Sequence, residues 1–231
     1  MIDRRDFADR AELAKALADA VADNLKAGLG ERGSASIAVS GGSTPAKFFA
    51  ALGKKKDIDW ENVVVTLVDE RWVSEISDRS NAGLVNEKML QGPAATAKFI
   101  PLYTGGDAPD AAAIEETIAN VASVPSPFDA VILGMGNDGH TASFFPGGDT
   151  LDAALTGGAD ALAIRAPGAG EPRVTLSLGR LLRTRALYLH IEGEEKAETL
   201  QRALSPGPVE EMPVRAVLRQ EAVPLTIVWS P

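Results

Sequence analysis

The chain has 231 residues, 45% of them apolar and 24% charged, with a net charge of −9 and no cysteine. That length and composition suit a folded globular protein, and the missing cysteines exclude disulfides, thiolate catalysis and cysteine-ligated zinc. The acidic balance argues against a nucleic-acid or anionic-membrane surface, since both need clustered cations, yet it permits a small anionic ligand in a local cationic pocket.

The N-terminal MIDRRDFADR lacks the apolar core of a signal peptide. No run of about 18 apolar residues exists to span a bilayer. A cytoplasmic location without membrane contact is expected.

Residues 9–29 place Leu13, Leu17, Val21 and Leu25 on one helical face, with Gly28 and Gly30 as a stop signal. The apolar run 36–40 reads as a buried strand. It leads into Gly41-Gly42-Ser43-Thr44-Pro45 and a helix over 46–52, where Pro45 suits the first turn. A second β-branched run, 63–68, ends in Asp69-Glu70-Arg71. Such unbroken apolar runs are typical of parallel strands covered on both faces.

A helix over 81–90, a weak strand over 99–102 and a helix over 110–121 follow. The strand 128–133 runs into Gly134-Met-Gly-Asn-Asp-Gly-His140. Strands are expected near 161–164, over 173–178, 187–191 and 225–229, and a helix over 194–204. This alternation predicts one α/β domain, residues 1–231, built on a doubly wound, mostly parallel sheet with helices on both faces. Ligands of such sheets bind beyond the carboxyl ends of the strands, where the loops after Val39, Val68 and Leu133 would meet.

Each loop carries a chemical signal beside a plainer one. Gly42, Ser43 and Thr44 can offer backbone N–H groups and hydroxyls to an anion, or can form only a capped tight turn. Asp69, Glu70 and Arg71 can orient hydroxyls and clamp a phosphate, or can be a surface ion-pair cluster. Asp138 and His140 have the logic of an oriented general base. The alternative makes His140 the cap of a helix starting near Thr141. Lys196, in the first turn of a helix after a strand, and Arg173, at the start of another, are further candidate cations for an anionic ligand. His190, inside Leu187-Tyr-Leu-His-Ile191, reads as a satisfied core residue. Asp138 and His140, with further carboxylates, could also form a metal site, but no additional histidine or cysteine cluster points to one.

Six segments together resemble the 6-phosphogluconolactonase family: SGGSTP at 40–45, VDERWV at 68–73, SNAGLVNE at 80–87, LGMGNDGHTASFFPG at 133–147, RVTLSL at 173–178 and EGEEKAETL at 192–200. The resemblance implies a glucosamine-6-phosphate deaminase-like fold. It also implies hydrolysis of 6-phospho-D-glucono-1,5-lactone in the oxidative pentose phosphate pathway, without metal or organic cofactor. His140 would be the base, and Asp138 would orient it or bind the sugar. Arg71 and Lys196 would hold the anion, with Gly42, Ser43, Thr44, Asp69 and Arg173 as further binding residues. The partner is then a phosphorylated sugar lactone, and the protein a monomer or weak homo-oligomer. The chain also resembles the glucosamine-6-phosphate deaminases, but those continue into a HIAFNEP-like segment with a ring-opening glutamate, whereas here His140 is followed by Thr-Ala-Ser-Phe-Phe-Pro146. A sugar-phosphate sensor is disfavoured by the absence of a basic stretch.

Overall fold

The computed structural model describes residues 2–231. In chain order the regular elements are β1 (Ile2–Asp6), α1 (Arg10–Arg32), β2 (Ala35–Val39), α2 (Ala46–Gly53), β3 (Val63–Leu67), β4 (Asp69–Arg71), α3 (Asn81–Lys88), β5 (Lys98–Ile100), α4 (Ala111–Ala122) and β6 (Ala130–Leu133). They continue with α5 (Leu151–Thr156), β7 (Ala161–Ile164), β8 (Arg173–Leu176), α6 (Leu178–Leu181), β9 (Leu187–Glu192), α7 (Glu194–Leu204), α8 (Val214–Arg219) and β10 (Leu225–Ser230). None of these helices is long and apolar enough to cross a membrane.

Seven strands form an all-parallel sheet in the order β1-β10-β9-β6-β2-β3-β5. From β1 the chain crosses to β2 and then steps outward through β3 to β5. It returns through β6 and steps the opposite way to β9 and β10. Right-handed crossovers place α1, α2 and α3 on one face and α4, α7 and α8 on the other. β2 and β6 are neighbours, so the order reverses between them. β2 and β6 are buried throughout and, apart from Ser36, apolar, as a sheet covered on both faces demands.

Two expected strands leave this alternation. β7 and β8 pair with β4 in a separate antiparallel sheet of order β4-β8-β7. Only residues 165–172 join β7 to β8, too few for the dozen or so that a parallel crossover needs. The sequence pattern also omits β1, whose five residues are all exposed. It is an edge strand pairing in parallel with β10, and its Arg4–Asp6 and Arg5–Asp3 ion pairs give it the charged surface that protects sheet edges.

The first helix begins as expected: the Asp9 carboxylate accepts the N–H groups of Ala11 and Glu12, and Leu13, Leu17, Val21 and Leu25 are buried. Gly28 and Gly30 do not stop it. It continues to Arg32 and closes at Gly33, whose φ is +71°. Gly28 is there for packing. A Cβ at this position would stand 2.3 Å from Asp129 Oδ1. Asp129 is fully buried and cannot retreat, because it accepts Arg32 Nη2 at 2.7 Å and the Ser36 N–H at 2.8 Å.

Two substitutions in one helix should therefore differ in sign. Gly30 has open space around its missing Cβ, so Gly30→Ala should stabilise by up to about 1 kcal/mol through helix propensity. Gly28→Ala should instead destabilise by about 1–3 kcal/mol through overpacking against a fixed carboxylate. Thermal melts of the two variants check this, and equal shifts would refute the packing account.

Candidate active site

The reversal between β2 and β6 sends two glycine-containing loops apart from one sheet edge, the place where open α/β sheets hold ligands. Ser40 follows β2, and its Oγ accepts the N–H of Gly134, the residue just after β6, at 3.1 Å. A cleft of about 220 Å³ opens between these loops. Gly42, Ser43, Thr44, Asp69, Arg71, His140, Arg173 and Lys196 all border it. Asp138 stands behind His140. The structure thus brings every candidate residue to one place from five separate stretches of chain.

The loop after β6 is tightly organised around its histidine. Gly136 donates its N–H to the His140 carbonyl at 2.8 Å, and Thr141 Oγ1 donates to the Gly134 carbonyl at 2.7 Å. Asp138 Oδ1 accepts the His140 backbone N–H at 3.1 Å and lies 2.6 Å from His140 Nδ1. A Cβ on Gly136 would stand 2.1 Å from Nδ1, so only glycine lets the ring fold back against the carboxylate. Burial works to raise the Asp138 carboxyl, but the hydrogen bond and charge of His140 outweigh it and hold Asp138 at about 2. Asp138 is therefore an acceptor at any physiological pH. It selects the Nδ1–H tautomer and leaves Nε2 as the free base. Met212 packs over Gly139 and the Val214 N–H reaches the Gly139 carbonyl at 2.9 Å, which braces the loop from α8.

The opposite wall is rich in free donors and positive charge. Among the described residues, the N–H groups of Gly41, Gly42, Ser43 and Thr44 have no acceptor in the protein. They precede α2, whose first turn adds further free donors. Lys196 stands in the first turn of α7 and makes no ion pair or hydrogen bond among the described residues. Burial pulls its ammonium below the ordinary lysine range, against the charges of Glu195 and Asp138. Such a cation is poised for an anionic ligand.

The DER segment is not a surface ion-pair cluster. Glu70 is fully buried, and its carboxylate accepts the N–H groups of Arg71, Asn81 and Ala82 and the Ser80 hydroxyl. It anchors the start of α3 and does not border the cleft. Burial pushes its carboxyl up, and these N–H groups oppose the shift. Asp69 turns the other way: it accepts the Ser143 hydroxyl at 2.5 Å and stands 3.7 Å from Arg173 Nη1. Arg173 is 7% exposed and also donates to the Ala169 carbonyl at 2.9 Å. Arg71 Nη1 donates to the Arg79 carbonyl, which carries its guanidinium along the cleft rim.

Three readings of the sequence change. No helix begins at Thr141. The chain turns there, with the Phe144 N–H on the Thr141 carbonyl at 2.9 Å and Ala142 at φ +47°, so His140 is not a helix cap. His190 is buried as expected, with Nε2 3.1 Å from Glu192 Oε1, but it is not fully satisfied, since its buried Nδ1 has no partner among the described residues, and it forms part of the cleft wall. Ser143, Phe145 and Asn81 belong to the site without having been singled out. Hydroxyl, phenyl and amide groups have no chemistry that pattern alone can separate from packing, and their role appears only through Asp69, His140 and Gly41 beside them.

The sequence profile described as glucosamine-6-phosphate isomerases/6-phosphogluconolactonase matches residues 8–229. A protein named 6-phosphogluconolactonase from Mesorhizobium japonicum is 50% identical, covering 97% of this chain and 94% of its own. Another of that name from Rhizobium meliloti is 48% identical, covering 97% of both. The crystal structure of a 6-phosphogluconolactonase from Shewanella baltica superimposes with a TM-score of 0.97 at 41% identity, covering 100% of this chain and 98% of that one. A monomeric glucosamine-6-phosphate deaminase shares the fold, with a TM-score of 0.77 at 19% identity over 98% of this chain and 97% of its own.

The tautomer assignment can be read directly. For the neutral imidazole of the wild-type protein, ¹⁵N chemical shifts should show unprotonated Nε2 and protonated Nδ1 on His140. Asp138→Asn should give a mixture of tautomers, because an amide can present either a donor or an acceptor. A single unchanged tautomer in the variant would remove Asp138 as the orienting group.

Proposed function

Since the chain belongs to the family of glucosamine-6-phosphate isomerases and 6-phosphogluconolactonases, we propose that it hydrolyses 6-phospho-D-glucono-1,5-lactone to 6-phosphogluconate, with His140 activating the water. The observation that carries this reading is a tautomer-fixed imidazole on the edge of a cleft lined by unpaired donors and cations. A base and an anion cradle, without a nucleophile tied to the base, fit attack by water on a phosphorylated substrate.

In this reading the phosphate lies against the N–H groups of 41–44 with Lys196 and Arg173, and the sugar ring reaches toward His140. Arg71 and Asp69 stand beside the hydroxyls. Nε2 takes a proton from water, and the hydroxide adds to the C1 carbonyl. The oxyanion that forms is stabilised by nearby donors. Collapse breaks the C1–O5 bond, and the imidazolium returns its proton to the departing ring oxygen. The base finishes as it began, so no group on the protein needs regeneration. Asp138, held as a carboxylate, offsets the positive charge on His140 between the two proton transfers.

The deaminase reading has no support in the segment after His140. Where a ring-opening glutamate would be needed, Ser143 is committed to Asp69 and Phe145 packs against the imidazole.

Freshly generated lactone incubated with the purified protein should release acid well above the spontaneous rate, and a rate equal to background would sink the proposal. His140→Ala should cut kcat by about 100-fold or more while a phosphorylated substrate analogue still binds. Full kcat in that variant would remove His140 as the base. Lys196→Ala should mainly raise KM, by about 10–100-fold for one lost charge-assisted contact. An unchanged KM would take Lys196 out of the phosphate site.

A further inference from the structure

Phe145 is 3% exposed and lies in the turn just beyond His140. Its ring stacks on the His140 imidazole, with centroids 4.1 Å apart and planes inclined by 25°. The same ring carries the Arg173 guanidinium, whose Cζ is 4.9 Å from the centroid. One apolar side chain therefore touches both the proposed base and a proposed phosphate cation. The established family activity assigns it nothing, and no polar group on it can take part in proton transfer.

The two contacts behave differently during a turnover. Arg173 is always charged, so its attraction to the negative face of the ring is the same at every stage. The imidazole is neutral while it waits for water and cationic once it has the proton. A phenyl face attracts the cation more than the neutral ring. The contact thus strengthens as the proton moves, which is the condition for lowering a barrier rather than merely binding substrate. The charged groups facing His140 are Asp138 on its own loop, Arg173 of β8 across the phenyl ring, and Lys196 of α7, which the charge of Asp138 reaches.

We propose that Phe145 is a positioning residue: it holds the His140 imidazole with Nε2 free, favours its protonated form as water is activated, and gives Arg173 the platform that aims it at the substrate phosphate. This deepens the lactonase reading and rests on it for the kinetic consequence alone. The stacking and its effect on the imidazole stand apart from any substrate.

Proton NMR of the whole protein tests it, because the chain has only two histidines and His190 serves as an internal reference. In the wild-type protein the ring current of Phe145 should displace the His140 ring protons upfield, and ring protons at their free-histidine positions would overturn the proposal whatever the variants do. Phe145→Leu keeps an apolar side chain at this buried position but removes the π face. The His140 titration midpoint should then move to lower pH by about half a unit, with the His190 signals unmoved. Phe145→Tyr should restore the wild-type midpoint. A folded Phe145→Leu with an unmoved midpoint would overturn the proposal, since a purely structural role shifts stability alone. With lactone, Phe145→Leu should lose kcat and raise KM together, and the acidic limb of its rate profile should move with the midpoint. Absence of wild-type turnover would refute the lactonase reading and leave the NMR result to judge Phe145.

Discussion

The site exists because two adjacent parallel strands leave the sheet in opposite directions. β2 and β6 end side by side, and the loops that follow them diverge to opposite faces of the sheet. Backbone at that edge would be left with unpaired donors and acceptors. Ser40 stitches part of the gap by accepting the Gly134 N–H, and the rest stays open as the cleft. Four of the five stretches at the cleft hang on this edge: the 41–45 turn from β2, Asp69 just past β3, the His140 loop from β6 and Lys196 past β9; Arg173 comes from β8 of the second sheet. Slipping β6 by one residue against β2 would exchange the side chains on its two buried faces and carry His140 away from the 41–45 turn.

Charge is distributed with the same economy. The protein as a whole is strongly acidic, yet the cleft is lined by free N–H donors and cations, which suits an anion. The contradiction resolves because much of the cradle is uncharged backbone, and N–H groups at a helix start attract anions without a basic surface. The cations that are present are buried enough to matter. Arg173 and Lys196 both sit where burial works against their charge, so an incoming phosphate would offset a cost already built into the fold. Glu70 shows the reverse arrangement. Its charge is spent wholly on three N–H groups and a hydroxyl, and its yield is the fixed start of α3.

Much of this was legible in sequence, for identifiable reasons. Long apolar runs and helical spacing mark β2, β3, β6, β9, α1, α4 and α7, because burial on both faces of a parallel sheet leaves a dense signal. The strand-end glycine loops were equally plain, and topology alone predicts their meeting. What stayed hidden depends on contacts distant in sequence. Gly28 looks like a helix stop until Asp129 is seen to occupy the space its side chain would need. β1 has no apolar pattern because an exposed edge strand needs none. The residues of β4 read as the charged end of the strand before them and β8 as one more strand of the alternation, and only their mutual pairing reveals a second sheet. His190 is buried as its apolar run suggests, but its Nδ1 is left without a partner among the described residues and its ring reaches the cleft, which no local pattern could tell.

A fold of this kind does not fix its chemistry, and the division between related reactions lies in a few side chains after the histidine loop. Ring opening with loss of nitrogen calls for an acid placed at the sugar oxygen. A lactone is already an activated ester that opens in water unaided, so its enzyme needs less: one oriented base, a place for the oxyanion and a firm hold on the remote phosphate. Binding energy from that phosphate can then be used to place C1 against the attacking water. The segment Ser143–Phe145 fits this lighter demand. Its hydroxyl steadies Asp69 and its phenyl ring steadies His140, so the space that could hold a second acid is used to keep the first base still.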